Sequence, residues 1–286
     1  MQFNSPLRYP GGKGRLAQFV ADLVDANRLG GSHYIEPFAG GAGAAITLLS
    51  LEYVSHIHIN DLNRSIHAFW HAVLNDSEEL CARIRDTRVT MAEWRRQRAL
   101  QDNSNATLID LAFSTFFLNR TNRSGIIRGG VIGGQAQDGE WKLNARFNRD
   151  DLILRIEKIA RLRHRITLYR HDAAKFISRV LPGLPRRALV YLDPPYYVRG
   201  KGLYEDHYNH DDHVEIESLV KSIKQHWIVS YDDTSTIRSL YSDFRQKTFD
   251  LHYTAQSRYR GSEVMIFDND LLIPRGAIQP SRRRAA

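Results

Sequence analysis

The stretch around Asp193 constrains the fold and the chemistry of this chain more than any other part of its sequence. An apolar run from Ala188 to Leu192 leads directly into Asp193-Pro194-Pro195-Tyr196. Each proline fixes its own φ at about −65° and moves the residue before it out of the helical region. The carboxylate and the aromatic ring are therefore held in defined directions at a strand end. The pattern predicts a catalytic loop, and a simple strand stop is the structural alternative.

The composition describes a globular chain with a surplus of positive charge. Its 286 residues are 42% hydrophobic and 25% charged, enough for one large globular unit or two closely joined ones. Lys and Arg number 40 against 32 acidic residues, a formal charge of +8. Such an excess favours a polyanionic partner. We interpret the run Arg282-Arg283-Arg284 as a solvated tail rather than a specific contact.

Cysteine usage and apolar run lengths exclude several other classes of protein. Cys81 is a single cysteine and cannot form an internal disulfide, and no Cys/His cluster has the spacing of a structural zinc site. We therefore expect no metal and a reducing compartment. No stretch approaches the roughly 18 apolar residues of a membrane span, and the N-terminus lacks a signal-peptide pattern. We expect a soluble, cytoplasmic protein without a membrane partner.

The N-terminal part of the chain alternates helix, strand and turn, which predicts the start of a parallel α/β sheet. A strand at residues 33–35 ends in Glu36-Pro37-Phe38-Ala39-Gly40-Gly41, and a helix follows. Glycines at such a point let the backbone pass close to a ligand. The next strand ends in Asn60-Asp61, about 20 residues later, where nucleotide-binding α/β folds place an acid for the ribose.

Residues 65–164 have a different pattern and are interpreted as a lobe inserted into the sheet. Helical segments surround a polar region with poor strand periodicity. The later half of the lobe combines glycine turns with Arg, Asn and Gln, the side chains that read guanine and adenine edges bidentately. A mobile surface loop is the alternative, but the many cations favour a nucleic-acid face.

The sheet is predicted to resume after the lobe at residues 166–169, and to continue through 188–192, 227–230, 249–253 and 264–267. Asp61, Asp172 and Asp193 follow three of these strands. Any one of them alone would be explained as a helix cap. Because three carboxylates converge on one edge beside a glycine turn, they predict a pocket for a ligand with amino and hydroxyl donors.

The order of these motifs resembles that of the Dam-like, alpha-group adenine-N6 DNA methyltransferases. The resemblance runs from Tyr9-Pro10-Gly11-Gly12-Lys13 through the Glu36 turn, Asn60-Asp61 and the basic lobe to Asp193-Pro194-Pro195-Tyr196. It implies a Rossmann-like, seven-stranded S-adenosylmethionine-dependent methyltransferase sheet with an inserted, mainly helical DNA-recognition lobe that contains a hairpin. The catalytic domain would comprise residues 1–64 and 165–286, and the target-recognition domain residues 65–164.

The same resemblance assigns roles to residues, with S-adenosyl-L-methionine as methyl donor and S-adenosyl-L-homocysteine as product. Donor-binding residues would be Tyr9, Gly12, Lys13, Glu36, Pro37, Phe38, Gly40, Asp61, Asp172 and Asp193. Catalytic residues would be Asp193, Pro194, Pro195 and Tyr196. DNA-binding residues would be Arg120, Asn122, Arg123, Arg128, Lys142 and Arg146. Within the donor site, Asp61 would hold the ribose hydroxyls and Asp172 would face the adenine amino group.

The chemistry of an adenine amino group independently fits the Asp193 turn. Its nitrogen is a poor nucleophile because the lone pair is delocalised into the ring. Asp193 and the Pro194 carbonyl can each accept one amino hydrogen, which localises that pair as charge develops. An adenine inside a duplex must be flipped out, and we expect it to stack on Tyr196. Ser230 and Tyr231 are expected to line the same pocket.

We therefore expect a sequence-specific DNA adenine-N6 methyltransferase of bacterial or phage type, acting on double-stranded DNA as a monomer. It would work beside a cognate restriction endonuclease or alone. Two alternatives stay open at the level of sequence. One is methylation of RNA adenine or of a protein amide, by enzymes that often begin the turn with Asn rather than Asp. The other is a DNA-binding relative without catalysis, against which the intact turn argues.

Overall fold

The computed structural model describes residues 5–8, 16–198, 208–252 and 260–274. These residues form two compact units. The first comprises residues 16–62 together with the described residues from 165 onwards, and the second comprises residues 5–8 and 63–164. Each unit has its own secondary structure and its own core.

The elements within these ranges follow the chain in a regular order. The strands are β1 (Ser32–Glu36), β2 (Val54–Asn60), β3 (Ile166–Tyr169), β4 (Ala188–Leu192), β5 (His226–Asp232), β6 (Arg245–His252) and β7 (Arg260–Phe267). The helices are α1 (Ala17–Ala26), α2 (Gly43–Ser50), α3 (Arg64–Asn75), α4 (Ser77–Asp86), α5 (Met91–Asp102), α6 (Leu108–Thr121), α7 (Arg149–Arg161), α8 (Ala173–Lys175), α9 (His210–Ser222) and α10 (Ser235–Leu240). In the described part of the chain, none of these helices has the length and apolar character needed to cross a membrane.

The strands of the first unit form one sheet, and its described members lie in the order β3-β2-β1-β4-β5-β7-β6. β1 pairs in parallel with β2 and β4, and their outer neighbours β3 and β5 are parallel as well. β7 lies between β5 and β6 and is antiparallel to both. The order reverses between β1 and β4, the point where open α/β sheets bind ligands at their carboxyl edge. The Rossmann-like, seven-stranded sheet predicted from the sequence is confirmed.

Apolar burial explains why β4 lies in the middle of this sheet. All five residues of β4 are buried. On one face, Val190 and Leu192 belong to a core that includes Phe176, Ile216 and Val229. Fully burying a side chain of this size contributes about 1.5–3 kcal/mol. The turn that follows Leu192 therefore starts from a rigid strand.

The second unit is built mainly of helices, with turns over residues 126–148. α6 packs against α3 and α5, and α7 packs against α3 and α4. Phe69 of α3 stacks on Phe116 of α6 with ring centroids 6.2 Å apart. Side chains that accept hydrogen bonds from backbone N–H groups begin four of the helices, and these caps explain where the helices start. They are Asn63, Thr90, Thr107 and Asn148.

The second unit differs from the sequence prediction in two respects. The hairpin is reduced to an isolated antiparallel bridge between Asn122 and Val131. The sequence places residues 5–8 in the catalytic domain, whereas the structure groups them with the second unit. The reason is Asn119, whose Oδ1 accepts from the Arg8 N–H at 2.7 Å and whose Nδ2 donates to the Arg8 carbonyl at 2.6 Å.

Candidate active site at the carboxyl edge of the sheet

The turn between β1 and α2 has an unusual backbone. Gly40 has a φ of 48° and Ala42 a φ of 44°, both in the left-handed region. Glycine adopts this region without a Cβ penalty, so the turn requires glycine at position 40. Ala42 carries a strain of roughly 1–2 kcal/mol. The turn thus has the tight backbone path that close approach of a ligand requires.

Glu36 ends β1 and is buried, with 6% of its surface exposed. Its Oε1 accepts a hydrogen bond from the Ala45 N–H at 3.2 Å. Burial is the main cause that raises the pKa of this carboxyl to about 8. The neighbouring Tyr34 hydroxyl and then the Ala45 hydrogen bond oppose the rise, and the charge of Asp193 adds to it. Glu36 is therefore a buried acid that the fold holds mostly in its protonated, neutral form near pH 7.

Asn60 and Asp61 connect the end of β2 to the loops that follow β1 and β3. The Asn60 amide donates to the carbonyls of Pro37 and His171, each at 2.9 Å, and its Oδ1 accepts from the His171 N–H at 2.9 Å. The Asp61 Oδ2 accepts from the Gly40 N–H at 2.8 Å. The acid predicted from its spacing therefore lies at the glycine turn. Sequence reasoning gave Asn60 no role, although it ties three strand ends together.

Asp172 lies after β3, at the same edge of the sheet as Asp61. Its Oδ1 accepts from the Lys175 N–H at 3.2 Å, so it is the N-cap of α8. The cap fixes the position of the carboxylate at the strand end. The role of Asp172 toward the adenine of a donor stays a prediction.

Asp193 follows β4 directly and is held by a buried hydroxyl network. Its Oδ1 accepts from the Ser230 hydroxyl at 2.6 Å, and the Ser230 Oγ lies 3.1 Å from the Tyr191 hydroxyl. Since the single Ser230 hydrogen is used toward Asp193, Tyr191 donates to Ser230. Ser230 and Tyr191 are 0% and 2% exposed, whereas Asp193 is partly exposed. The network presents an oriented carboxylate at the surface of the strand end.

Tyr196 and the backbone after it are held by carboxylates on β5 and β7. The Tyr196 hydroxyl donates to the Glu263 Oε1 at 2.5 Å. Asp232 accepts from the Tyr197 N–H at 2.8 Å and from the Val198 N–H at 3.0 Å. Tyr196 is 3% exposed, and its stacking on a target base stays a prediction.

Sequence reasoning assigned no role to Asp232 or to Glu263. Asp232 is a fourth carboxylate at a strand end, so the rule that selected Asp61, Asp172 and Asp193 extends to it. Glu263 lies within β7 and is 1% exposed. No local pattern marks it, because its contact with Tyr196 depends on how β7 is placed in the sheet.

A cluster of aromatic side chains lies at the same carboxyl edge of the sheet. The Phe38 and Tyr208 rings lie 6.0 Å apart between centroids, and Tyr208 lies 5.6 Å from His213. The His213 Nδ1 lies 3.1 Å from the hydroxyl of Tyr231, which is fully buried. Burial lowers the pKa of His213, which keeps the ring neutral near pH 7. Phe38 and Tyr231, both predicted to line the site, are thus linked by packed rings.

The exposed cations predicted to bind DNA lie in the second unit. Arg123, Arg128, Lys142 and Arg146 are exposed. Arg128 forms an ion pair with Asp102 at 2.7 Å. The Arg146 guanidinium carbon lies 5.5 Å from the centroid of the Trp141 ring, which is 55% exposed. Arg146 and Trp141 thus bring an exposed cation and an exposed aromatic ring together.

Arg120 is less accessible than these four. Its Nε donates to the Arg146 carbonyl at 2.8 Å. Burial, and then the charges of Arg8 and Arg155, lower the pKa of Arg120 to about 9. Arg120 therefore lies in a strongly positive environment just beneath the surface.

Asn122 is fully buried and holds the loop together. Its Oδ1 accepts from the Trp94 indole N–H at 2.7 Å, and its Nδ2 donates to the carbonyls of Ile126 and Ile127. The structure places Asn122 in the framework of the loop rather than on a surface that DNA can reach.

Three further residues predicted to bind the donor lie outside the described residues: Tyr9, Gly12 and Lys13.

The fold and the site together define the class of this protein. A Rossmann-like sheet with an antiparallel seventh strand carries a glycine turn, an acid 21 residues later and an Asp-Pro-Pro-Tyr turn at adjacent strand ends, the arrangement of a methyltransferase. The family profile of the D12 class N6 adenine-specific DNA methyltransferases matches residues 9–258. The chain belongs to this family and is a DNA adenine methyltransferase, as the sequence predicts.

Two known proteins are similar to this chain. The Retron Ec67 DNA adenine methylase of Escherichia coli is 28% identical over 242 residues, which cover 81% of this chain and 78% of that protein. Among solved structures, the rRNA methyltransferase aviRa from Streptomyces viridochromogenes aligns with a TM-score of 0.40 and 15% identity. The alignment covers 91% of this chain and 86% of the aviRa chain.

Proposed function

We propose that the protein transfers a methyl group from S-adenosyl-L-methionine to N6 of an adenine flipped out of duplex DNA at a specific sequence. One observation carries the proposal. The partly exposed Asp193 carboxylate is oriented by the buried Ser230 hydroxyl at the end of β4, next to β1 and its glycine turn. Such a carboxylate is the group that an exocyclic amine requires as acceptor.

The residues of the first unit fit this donor. The left-handed Gly40 permits close backbone approach, and Asp61 offers carboxylate oxygen to ribose hydroxyls. Glu36 has a pKa of about 8 in its buried position, and a bound cation lowers the pKa of a nearby carboxyl. A cationic amino group of the donor is therefore proposed to bind beside Glu36, where it would stabilise the ionised form of this carboxyl. Pro37, Phe38 and Asp172 complete the proposed set. When bound, S-adenosyl-L-methionine supplies an electrophilic methyl group on a positively charged sulfur.

Asp193 and the Pro194 carbonyl are proposed to accept the two hydrogens of the target amino group. These hydrogen bonds localise the nitrogen lone pair and favour a tetrahedral nitrogen as positive charge develops. The nitrogen forms its bond to carbon while the carbon–sulfur bond breaks, with the electron pair remaining on sulfur. The extra proton of the methylated amine then leaves to water, because that cation is strongly acidic. Asp193 thus acts as an acceptor and need not be the final base.

Access to the amine requires the adenine to leave the base stack, which costs a few kcal/mol. Tyr196 is proposed to stack on the flipped base. The exposed side chains Arg123, Arg128, Lys142 and Arg146 are proposed to bind the DNA, with Arg120 beneath them. Phosphate contacts from such cations provide affinity, and contacts to base edges provide specificity. We propose one chain for each DNA site.

The test is transfer of labelled methyl groups from S-adenosyl-L-methionine into methyl-free duplex DNA, with RNA and protein as competing acceptors. We expect label on adenine N6 within one short DNA motif, located by single-molecule sequencing. Asp193→Ala should abolish the label, and circular dichroism should show that the variant remains folded. Asp243→Ala, at an exposed carboxylate, is the control and should retain activity.

Two outcomes would contradict the proposal. Label that appears in RNA or protein while DNA stays unlabelled would assign the enzyme another acceptor. Failure of the wild-type chain to bind S-adenosyl-L-homocysteine would remove the proposed donor site. The motif found in a successful experiment is also the substrate with which a cognate restriction endonuclease can be sought.

A further inference from the structure

Three buried polar side chains on neighbouring strands hold the turn from Asp193 to Val198. Ser230 and Asp232 lie on β5, and Glu263 lies on β7. Ser230 binds the carboxylate that begins the turn, Glu263 binds the hydroxyl of Tyr196, and Asp232 binds the two backbone N–H groups that follow. Their exposed fractions are 0%, 4% and 1% for Ser230, Asp232 and Glu263.

The spacing of the β5 residues suits this task. Ser230 and Asp232 are two positions apart on one strand, so their side chains project from the same face. The strand advances about 3.3 Å per residue, so the two side chains start roughly 6.6 Å apart. One rigid strand therefore contacts both the first residue of the turn and the backbone of its last two residues.

The two carboxylates have a placement that sheet stability alone does not favour. Asp232 and Glu263 are direct partners in the antiparallel register of β5 and β7. Direct partners share a face, and like charges in such a pair are destabilising. Burial adds the cost of removing carboxylates from water. Local rules are typically broken in this way at functional sites, and here both carboxylates accept hydrogen bonds from the catalytic turn.

We propose that Asp232 is a positioning residue for methyl transfer, acting with Ser230 and Glu263 to fix the Asp193–Val198 turn. It contacts neither reacting atom. By holding the N–H groups of Tyr197 and Val198, it limits rotation of the backbone on which the Pro194 carbonyl and the Tyr196 ring are carried. The inference rests on the proposed function of this turn. It assigns to Asp232 the role of holding the turn in the position from which the turn contacts the target base.

The test uses Asp232→Asn in the full chain. The amide keeps the shape of the side chain, but its NH2 group faces a backbone N–H donor, so one of the two hydrogen bonds is lost. We expect kcat to fall roughly 10- to 100-fold, the range that a small misplacement of reacting groups produces. Dissociation constants for S-adenosyl-L-homocysteine and for the duplex should stay within about twofold, since Asp232 is buried and is proposed to act through the turn.

A second measurement reports on the turn without any methyl transfer. Hydrogen exchange should show that the amides of Tyr197 and Val198 lose protection in Asp232→Asn. This readout separates the inference from the proposed function. If the wild-type chain methylates no DNA, the proposed function fails, whereas the exchange result still decides whether Asp232 holds the turn.

Asp233→Asn is the matched control, because Asp233 is the next residue and its carboxylate binds Arg238 at 2.6 Å rather than the turn. We expect this variant to lose thermal stability and to retain kcat. The inference is overturned if Asp232→Asn keeps the wild-type kcat, if it loses kcat only in proportion to a loss of folded protein, or if the amides of Tyr197 and Val198 stay protected.

Discussion

At the scale of single residues, Glu36 couples the candidate donor site to pH. The carboxyl has an ordinary value of 4.5 in the unfolded chain and a pKa of about 8 in the fold, chiefly because it is buried. Between these values the folded state binds a proton that the unfolded state does not. The contribution of Glu36 to stability is therefore complete below about pH 4.5 and is lost as the pH rises through about 8.

This argument predicts that Glu36→Gln flattens the pH dependence of stability. Glutamine imitates the protonated carboxyl and does not titrate. The wild-type chain, without ligand, should lose up to roughly 5 kcal/mol between pH 4.5 and 8 from this group, and the variant should not. Urea unfolding across this range measures the difference. Equal slopes in the two proteins would show that Glu36 ionises freely in the fold.

At the scale of elements, Asn60 joins the ends of three parallel strands. Asn60→Ala removes hydrogen bonds from the carbonyls of Pro37 and His171 and from the His171 N–H. We expect a loss of about 1–3 kcal/mol in the free energy of unfolding. Binding of S-adenosyl-L-homocysteine should weaken as well, because the loops that contain Phe38 and Asp172 lose their common support.

The control for this prediction is Asn75→Ala at the end of α3. Asn75 is exposed, and its Nδ2 donates to the His71 carbonyl at 3.0 Å within the same helix. Chemical denaturation and calorimetry should show little change in this variant. An Asn60→Ala protein as stable and as tightly binding as Asn75→Ala would remove Asn60 from the support of the site.

The strands β1 and β2 also align a row of histidines, next to Tyr169 of β3, and this row makes the sheet sensitive to acid. His58 Nε2 lies 2.9 Å from His33 Nδ1, and His58 Nδ1 lies 3.2 Å from the Tyr169 hydroxyl. Burial, followed by the charges of His56 and His33, lowers the pKa of His58 from 6.5 to about 3. Between about pH 6.5 and 3, His58 carries a proton in the unfolded chain but not in the folded chain. The free energy of unfolding therefore decreases as the pH falls through this range.

We predict that His58→Phe reduces this loss in acid. The phenyl ring retains the stacking surface and has no titrating group, although the variant is less stable at neutral pH because two hydrogen bonds are gone. His164→Phe, at an exposed histidine, should keep the acid sensitivity of the wild-type chain. Unfolding midpoints measured from neutral pH toward pH 4 test the prediction, and parallel curves for both variants would contradict it.

Local patterns predicted the strands and their ends better than the contacts between them. Apolar runs in the sequence predicted β3 and β4. Which residue follows a strand can also be read locally, and this predicted that Asp61 lies near the glycine turn, where it binds the Gly40 N–H. The bond from Tyr196 to Glu263 spans 67 residues and exists because β7 inserts between β5 and β6. Asn122 was predicted to contact DNA because of its residue type. Its burial could not be predicted, because it depends on how the loop folds around the side chain.

At the scale of the whole molecule, the formal charge of +8 includes a group of arginines in the second unit that act on one another electrostatically. Besides burial, the charges of Arg8, Arg155 and Arg146 lower the pKa of Arg120, and Asp151 is the carboxylate that opposes them. Arg146 also lowers the pKa of Arg8, after burial. Cations that repel one another in the free protein gain most when an anion binds, so this cluster suits a DNA phosphate.

The cluster predicts that Arg146→Gln changes stability and DNA binding in opposite directions. Without DNA, the variant should be as stable as the wild type or more stable, because one repulsive charge is gone. Duplex binding should weaken. The slope of log K against log salt should decrease in magnitude by about 1, the value expected for the loss of one phosphate contact. Arg165→Gln is the control, since Arg165 pairs with Glu52 at 2.9 Å in the first unit and should leave the slope unchanged. Fluorescence anisotropy titrations at several salt concentrations measure this slope. An unchanged slope in Arg146→Gln would mean that the DNA phosphates bind other cations of the protein.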